Sequence, residues 1–280
     1  MENNRDRMDK AQARILLIYL LNKLNMICEK ADIPYYASGG TCLGMIRHQG
    51  IIPWDDDIDV MIFRKDYDKF VNACNELLEF PIVLRTRESD PYFCQEFAKI
   101  CFKCDDGSFS ELAIDIFELD NTNPKRKAFR AMQNAVKRWI YFAKGYKVSK
   151  MGHGGFRPNS AAKRILLSIA GILPIKTMDK ILLRALTAEK HEGDYVVNWG
   201  ASYSYKKATY PIEAFGSPKK MKFENTYVWA EQHPEMILER LYGENYMELP
   251  PEDKRTDHGV KNFTCSSLDF EAIKKEVGEF

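Results

Sequence analysis

A chain of 280 residues with 45% hydrophobic and 12% aromatic content can bury a substantial core, which excludes a disordered or low-complexity protein. It holds no run of about 18 uncharged apolar residues, and its opening residues, MENNRDRMDK, are polar, so a cytoplasmic protein with no membrane span or signal segment is expected. The formal charge of +1 conceals a division: between Lys125 and Lys190, 16 Lys and Arg stand against Asp179 and Glu189, giving +14 there and −13 elsewhere.

Residues 8 to 30 repeat apolar positions at helical spacing (Ile15, Ile18, Leu21, Leu24) and stop before Asp32-Ile33-Pro34, predicting a packed helix. An apolar run from Ile33 to Ala37 predicts a short strand to Ser38, followed by a glycine turn at Gly39-Gly40 and a short helix from Cys42 to His48. A loop with Pro53-Trp54 leads to a strand over 57–63, then a helix over 65–79. Segments 94–104 and 111–118 alternate as strands around the turn Asp105-Asp106-Gly107-Ser108. From Pro124 to Lys190 the pattern is helical and basic. Strands are predicted near 195–199, 209–213 and 221–229, a helix over 234–242, and a last helix from Ser267 with Asp269 in its first turn. The fold class expected is α+β: a single domain over 1–280, its core at 8–123 and 191–265 interrupted by a helical insertion at 124–190.

Four aspartates crowd into five residues, Asp55, Asp56, Asp57 and Asp59. Such carboxylates repel one another unless a cation lies between them. Asp57 and Asp59 flank Ile58, and on a strand residues i and i+2 share a face, so both can grip one hard cation while Ile58, Val60 and Ile62 face the core. Asp115, between Ile114 and Ile116, offers a third carboxylate from a second strand. Asp57, Asp59 and Asp115 are therefore the expected ligands of Mg²⁺ or Mn²⁺ and the expected catalytic residues. The glycine turn leaves backbone N–H groups for phosphate oxygens, which makes Gly39, Gly40 and Thr41 substrate-binding candidates. Arg47, one turn further on, and Lys99, on a neighbouring strand, are candidates to hold phosphate.

The order hydrophobic-Gly-Gly, Asp-Ile-Asp-Val, Ile-Asp-Ile resembles the nucleotidyltransferase superfamily, with a longer gap between Gly40 and Asp57 than in its compact members. SGGTCLGMIRHQGIIPWDDDIDVMI, Lys99-Ile100, IDIFELD and LYGENYMELPPEDKRTDH closely resemble the signature of LicD-type phosphotransferases, related to fukutin-type enzymes. The resemblance covers most of the chain and is weakest in the basic segment. It implies a nucleotidyltransferase-like mixed sheet flanked by helices. It also implies metal-dependent transfer of a phospho-alcohol, phosphocholine from CDP-choline foremost, to a sugar hydroxyl of a surface glycan such as teichoic acid or lipopolysaccharide, or of a lipid-linked precursor, releasing CMP. CDP-ribitol or CDP-glycerol as donor, or a nucleoside triphosphate in a true nucleotidyltransferase, are the alternatives. If choline is the head group, Trp54, Trp199, Tyr203 and Tyr205 are the aromatic faces available to it. Asn198, Asp257 and His258 are substrate-binding candidates on the resemblance alone.

Seven cysteines, an odd number scattered through helix- and strand-like segments (Cys28, Cys42, Cys74, Cys94, Cys101, Cys104, Cys265), are expected as reduced thiols. Cys101 and Cys104 are three apart on a predicted strand and face opposite sides, an unfavourable start for a zinc site. The basic segment alternates Lys163/Arg164, Lys176, Lys180 and Arg184 with Ile and Leu, a pattern suited to lying on an anionic membrane at its inner face. No nucleic-acid reading module accompanies the charge.

Overall fold

The computed structural model describes residues 8–153, 156, 158–255 and 259–278. The first helix, α1 (Lys10–Lys30), is capped by Asp9, whose carboxylate accepts from the N–H groups of Ala11 and Gln12. Leu16, Leu17, Ile18, Leu20, Leu21, Leu24 and Ile27 bury it along most of its length. β1 (Tyr36–Ala37), α2 (Gly39–His48), β2 (Ile58–Phe63) and α3 (Arg64–Leu77) follow. The glycine pair forms the first turn of α2 itself and not a loop ahead of it. β3 (Ile82–Arg85), which the sequence pattern did not announce, precedes β4 (Ala98–Lys103) and the long β5 (Phe109–Thr122). Three consecutive helices come next, α4 (Lys127–Lys150), α5 (Ala161–Ala170) and α6 (Ile175–Leu186), and then β6 (Tyr195–Asn198) and β7 (Thr209–Pro211). The expected single strand at 221–229 is a hairpin, β8 (Lys219–Phe223) and β9 (Thr226–Ala230), because Glu224 takes a left-handed conformation (φ 54°) and turns the chain. α7 (Pro234–Tyr242) and α8 (Phe270–Val277) complete the fold, with Asp269 as the N-cap of α8, one position outside the helix.

Seven strands make one mixed sheet in the order β1-β2-β5-β4-β3, with β6 paired to the end of β5 and β7 to β6. β2 and β5 run parallel and their neighbours antiparallel, so the fold is α+β. The pleat sorts the strands' side chains. Ile58, Val60, Ile62, Ile100, Ile114 and Ile116 join the largest apolar cluster, beneath α1 and α3. On the other side Met61, Phe117 and Leu119 meet Tyr36, Phe215, Ile237 and Leu241. α4, α5 and α6 share a third cluster with Val197 and Trp199.

Two polar devices hold the site-bearing segments in place. The hairpin tip grips the loop between α2 and β2: Glu224 accepts from Ile51 N–H at 2.9 Å and pairs with Arg14 at 2.6 Å, while its own N–H donates to the Gln49 carbonyl. At the far end of β2, Arg64 forms a two-pronged bond to Asp120 of β5 at 2.8 and 3.0 Å and lies 3.4 Å from Glu118. Asp120 is 2% exposed, so removing its partner leaves a buried charge uncompensated. Arg64→Met is expected to destabilise the fold by about 3–5 kcal/mol, read from urea unfolding; a loss below about 1 kcal/mol would show that the pair does not hold β2 to β5.

Candidate active site

The site begins with the register of three strands. Asp59 of β2 pairs directly with Asp115 of β5, and Asp115 pairs with Lys99 of β4. Paired residues in a sheet share a face, so two carboxylates and an ammonium stand in one row across the strands. Lys99 Nζ is 2.7 Å from Asp115 Oδ1. Asp57 ends the preceding loop, and carboxylate oxygens of Asp57, Asp59 and Asp115 all lie within 4.8 Å of one another. Asp55, Asp56 and Asp57 form a second such group. Both metal-spaced groups found among the described residues are made of aspartates.

Burial acts on these acids before any charge does. It pushes the Asp57 carboxyl up to about 7, helped by Asp55, Asp115 and Asp56 and opposed by Lys99. Asp59 is raised well above the ordinary carboxylate range, by burial first and then by Asp57 and Asp115. Burial also raises Asp115, while Lys99 pulls it down. Among the described residues a single ammonium, Lys99, thus opposes three carboxylates. Three hard oxygen donors at this spacing, with repulsion that one cation leaves unrelieved, fit Mg²⁺ or Mn²⁺.

α2 brings its N-terminus to the carboxylates. Gly39 sits at φ 50°, and a Cβ there would lie 3.3 Å from Asp59 Oδ2; a Cβ on Gly40 would run into the Asp55 carboxylate. Glycine is therefore required at both positions by close approach. Ser38 N–H donates to the Asp59 carbonyl at 2.9 Å, and Asp59 N–H donates to Thr41 Oγ1 at 2.8 Å, which locks the helix start to the strand. The Asp55 carboxylate over Gly40 occupies the place where a helix N-terminus favours an anion.

Tyr242, at the end of α7, is a member of the site that sequence reasoning did not single out. Its hydroxyl would be 3.9 Å from a Gly39 Cβ, and it shares a 3.2 Å hydrogen bond with Tyr203. Burial raises both phenols, and the nearby Asp55 and Asp59 raise them further. The run LYGENYMELPPEDKR carried the signal, since Tyr242 lies within it.

Other candidates stand elsewhere. The Arg47 guanidinium donates to the carbonyls of Tyr246 and Glu248 at 3.1 and 3.0 Å, which ties down the chain after α7. Asn198 is buried, and its side-chain oxygen accepts from Ala201 N–H. Trp199 is 4% exposed within the third apolar cluster, against Tyr205, where no ligand reaches its faces; this corrects its expected role. Tyr205 is covered by Arg130, 4.3 Å from its centroid. Trp54 is half-buried, with Arg255 5.0 Å from its ring centre and His48 edge-on. Asp257 and His258 lie outside the described residues.

The raised carboxyls make a signed prediction. Without a divalent cation the folded chain binds more protons than the unfolded chain between the ordinary carboxyl value of 3.8 and about 7, so stability falls as pH rises through that window. Thermal unfolding in EDTA should show Asp57→Asn less pH-dependent than the parent and more stable than it at pH 8, on the order of a few kcal/mol. Parallel pH curves for the two proteins would contradict the carboxylate cluster.

Residues 32–156 match the family described as LicD/FKTN/FKRP, nucleotidyltransferase domain. The chain is 26% identical over 269 residues to the lipopolysaccharide cholinephosphotransferase LicD of Haemophilus influenzae, spanning 89% of this chain and 96% of that protein. Shorter likenesses are to the human ribitol 5-phosphate transferase FKRP, 41% over 51 residues (18% of this chain, 10% of that protein), and to the mouse ribitol-5-phosphate transferase FKTN, 51% over 35 residues (12% of this chain, 8% of that protein). With its glycine-opened helix and its aspartates in register across β2 and β5, the stretch 32–156 carries a LicD/FKTN/FKRP-type nucleotidyltransferase domain, and the chain as a whole is similar to LicD.

Proposed function

We propose that the protein transfers a phospho-alcohol, phosphocholine from CDP-choline foremost, to a sugar hydroxyl of a surface glycan or its lipid-linked precursor, releasing CMP. The observation that carries this reading is the row Asp59, Asp115, Lys99 beside the N-terminus of α2. Asp57, Asp59 and Asp115 would hold Mg²⁺ or Mn²⁺, which when bound neutralises diphosphate charge. The N-terminus of α2 receives phosphate oxygens in the place now taken by the Asp55 carboxylate. Lys99 adds a fixed positive charge where charge builds on the transferred group. The acceptor oxygen bonds to the distal phosphorus, the bond from that phosphorus to the CMP oxygen breaks, and the hydroxyl proton passes to a triad carboxylate, Asp115, whose burial favours the protonated form. Tyr203 and Tyr242, edge to face with centroids 6.5 Å apart, are the aromatic faces beside the carboxylates suited to a quaternary ammonium.

Residues 8–123 and 191–265 serve as the catalytic core, and 124–190 as a basic helical insertion that meets an anionic membrane from the cytoplasmic side. Among the described residues no helix is long and apolar enough to cross a membrane. α5 is nevertheless apolar outward: Ile165, Leu166 and Ile169 are 60–64% exposed and Ile172, just beyond, 77%. Lys163, Arg164, Lys176, Lys180 and Arg184 accompany them, while the segment's two acids are spent internally, Asp179 on Lys144 and Arg87 and Glu189 on Arg126. An apolar strip flanked by unopposed cations suits an anionic lipid surface.

Two measurements test these statements. In ³¹P NMR with Mg²⁺ and CDP-choline, CDP-ribitol, CDP-glycerol or CTP in turn, CMP should appear from a CDP-alcohol and fall by at least about 10²–10³-fold in Asp59→Asn; pyrophosphate from CTP alone would overturn the reading in favour of nucleotidyl transfer. In flotation with vesicles of about 30% phosphatidylglycerol, the parent should float and Ile165→Asp/Ile169→Asp should stay behind. Equal flotation of both proteins would remove α5 from the membrane contact.

A further inference from the structure

A second concavity lies beside the carboxylates. Its volume is about 450 Å³, within the range of small-molecule sites. Arg85 and Lys99 lie on its floor, and Tyr92, Phe93, Tyr141 and Phe156 are among its walls. Arg85 of β3 pairs with Lys99 of β4, which pairs with Asp115 of β5. The row that starts at Asp59 therefore continues without a break into this cavity. Its floor begins one strand away from Asp115, about 4.8 Å, and Lys99 faces both places.

Direction across the sheet separates the two partners of the reaction. α2 and β1 lie on the β2 side of the triad, where the helix N-terminus and the Tyr203–Tyr242 pair take the donor. The cavity lies on the opposite side, over β4 and β3. An in-line displacement needs the attacking oxygen and the leaving oxygen on opposite sides of the phosphorus. With CMP departing on the α2 side, the nucleophile has to arrive from the cavity side, which is also the side on which Lys99 and Asp115 meet.

The walls decide what kind of group can fill it. The cavity does not suit a quaternary ammonium, because Arg85 and Lys99 are already there. The faces of Phe93 and Phe109 are also taken by Arg85, 4.6 and 4.3 Å from their centroids, and Tyr92 is stacked by His153 at 3.8 Å. What remains is the side of Tyr141 and Phe156 with hydrogen-bonding groups of Gln95 and Glu111 around it. Aromatic surface combined with donors and acceptors suits a neutral, hydroxyl-rich ring. α4 borders the cavity through Gly145, where a Cβ would sit 3.4 Å from Phe156.

We propose that this cavity between α4 and the β3–β4 face is the acceptor subsite and takes a neutral sugar ring, whose hydroxyl it presents to Asp115. The proposal rests on the phosphotransfer reading for its role, while sugar binding itself can be measured without turnover. Saturation-transfer NMR on the full chain, with methyl glycosides of glucose, galactose and N-acetylgalactosamine as probes and choline as the contrasting probe, reads it directly. A glycoside should show transfer from the parent protein, weakened about tenfold in Tyr141→Ala and in Phe156→Ala, with thermal unfolding of each variant confirming that it is folded. In turnover with a glycan acceptor, the same variants should raise the acceptor's KM by a similar factor and shift the donor's KM less than about twofold. Absence of glycoside transfer, transfer unchanged in both variants, or choline transfer that the variants abolish would overturn the acceptor assignment. Glycoside binding lost in the variants, together with no CMP from any CDP-alcohol, would instead leave the subsite standing and overturn the reaction.

Discussion

The structure is organised around one costly arrangement, three carboxylates gathered within 4.8 Å of one another, one of them paired to the Lys99 ammonium, on a partly dehydrated sheet face. Asp57, Asp59 and Asp115 lie together with Lys99 as the cation that offsets them among the described residues, and burial pushes each toward its neutral form. A fold that needed only stability would place apolar side chains there. The strands bear that cost because the opposite face of the same strands, Ile58, Val60, Ile62, Ile114 and Ile116, is wholly buried under α1 and α3. A slip of one residue in register would carry the aspartates into that core and the isoleucines out of it. The alternation that builds the core thus also fixes the site.

The remaining contacts read as supports for that face. Thr41 and Ser38 bind the backbone of Asp59 and bring the start of α2 against it. Glu224 holds the loop that delivers Asp55, Asp56 and Asp57, and Arg64 ties the outgoing end of β2 to β5. None of these residues needs to touch a substrate. Their common effect is to hold close-packed like charges in place, so that a phosphate and its counterion meet a prearranged surface. A similar economy governs the basic helices, whose two acids are consumed by internal pairs while Lys163, Arg164, Lys176, Lys180 and Arg184 are left exposed.

Much of this was legible in the chain because it rests on short periods. The i, i+2 spacing of Asp57 and Asp59 around Ile58 placed two carboxylates on one face, and the Ile-Asp-Ile pattern at 114–116 placed the third. The helices α1, α3 and α7 followed from their apolar repeats. What was not legible depends on pairing between distant segments. The direct opposition of Lys99 and Asp115 is a matter of register. Tyr242 reaches the site only because α7 packs beside α2, and Glu224 looks like a surface residue until Ile51 and Arg14 are found against it. Trp199 misleads for the reverse reason: its type suits a ligand, yet an apolar cluster claims it. The strand expected at 221–229 split because one left-handed residue, Glu224, reverses the chain, and a non-glycine residue gives no advance notice of that.

The central claim is that Asp57, Asp59 and Asp115 form one divalent-cation centre that engages the diphosphate of a CDP-alcohol. Electron paramagnetic resonance of Mn²⁺ titrated into the protein, with and without CDP-choline, tests it most directly. The account predicts saturable Mn²⁺ binding that tightens when CDP-choline is added and is lost in Asp59→Asn. Mn²⁺ binding that is indifferent to CDP-choline, or that survives the loss of the Asp59 carboxylate, would contradict it.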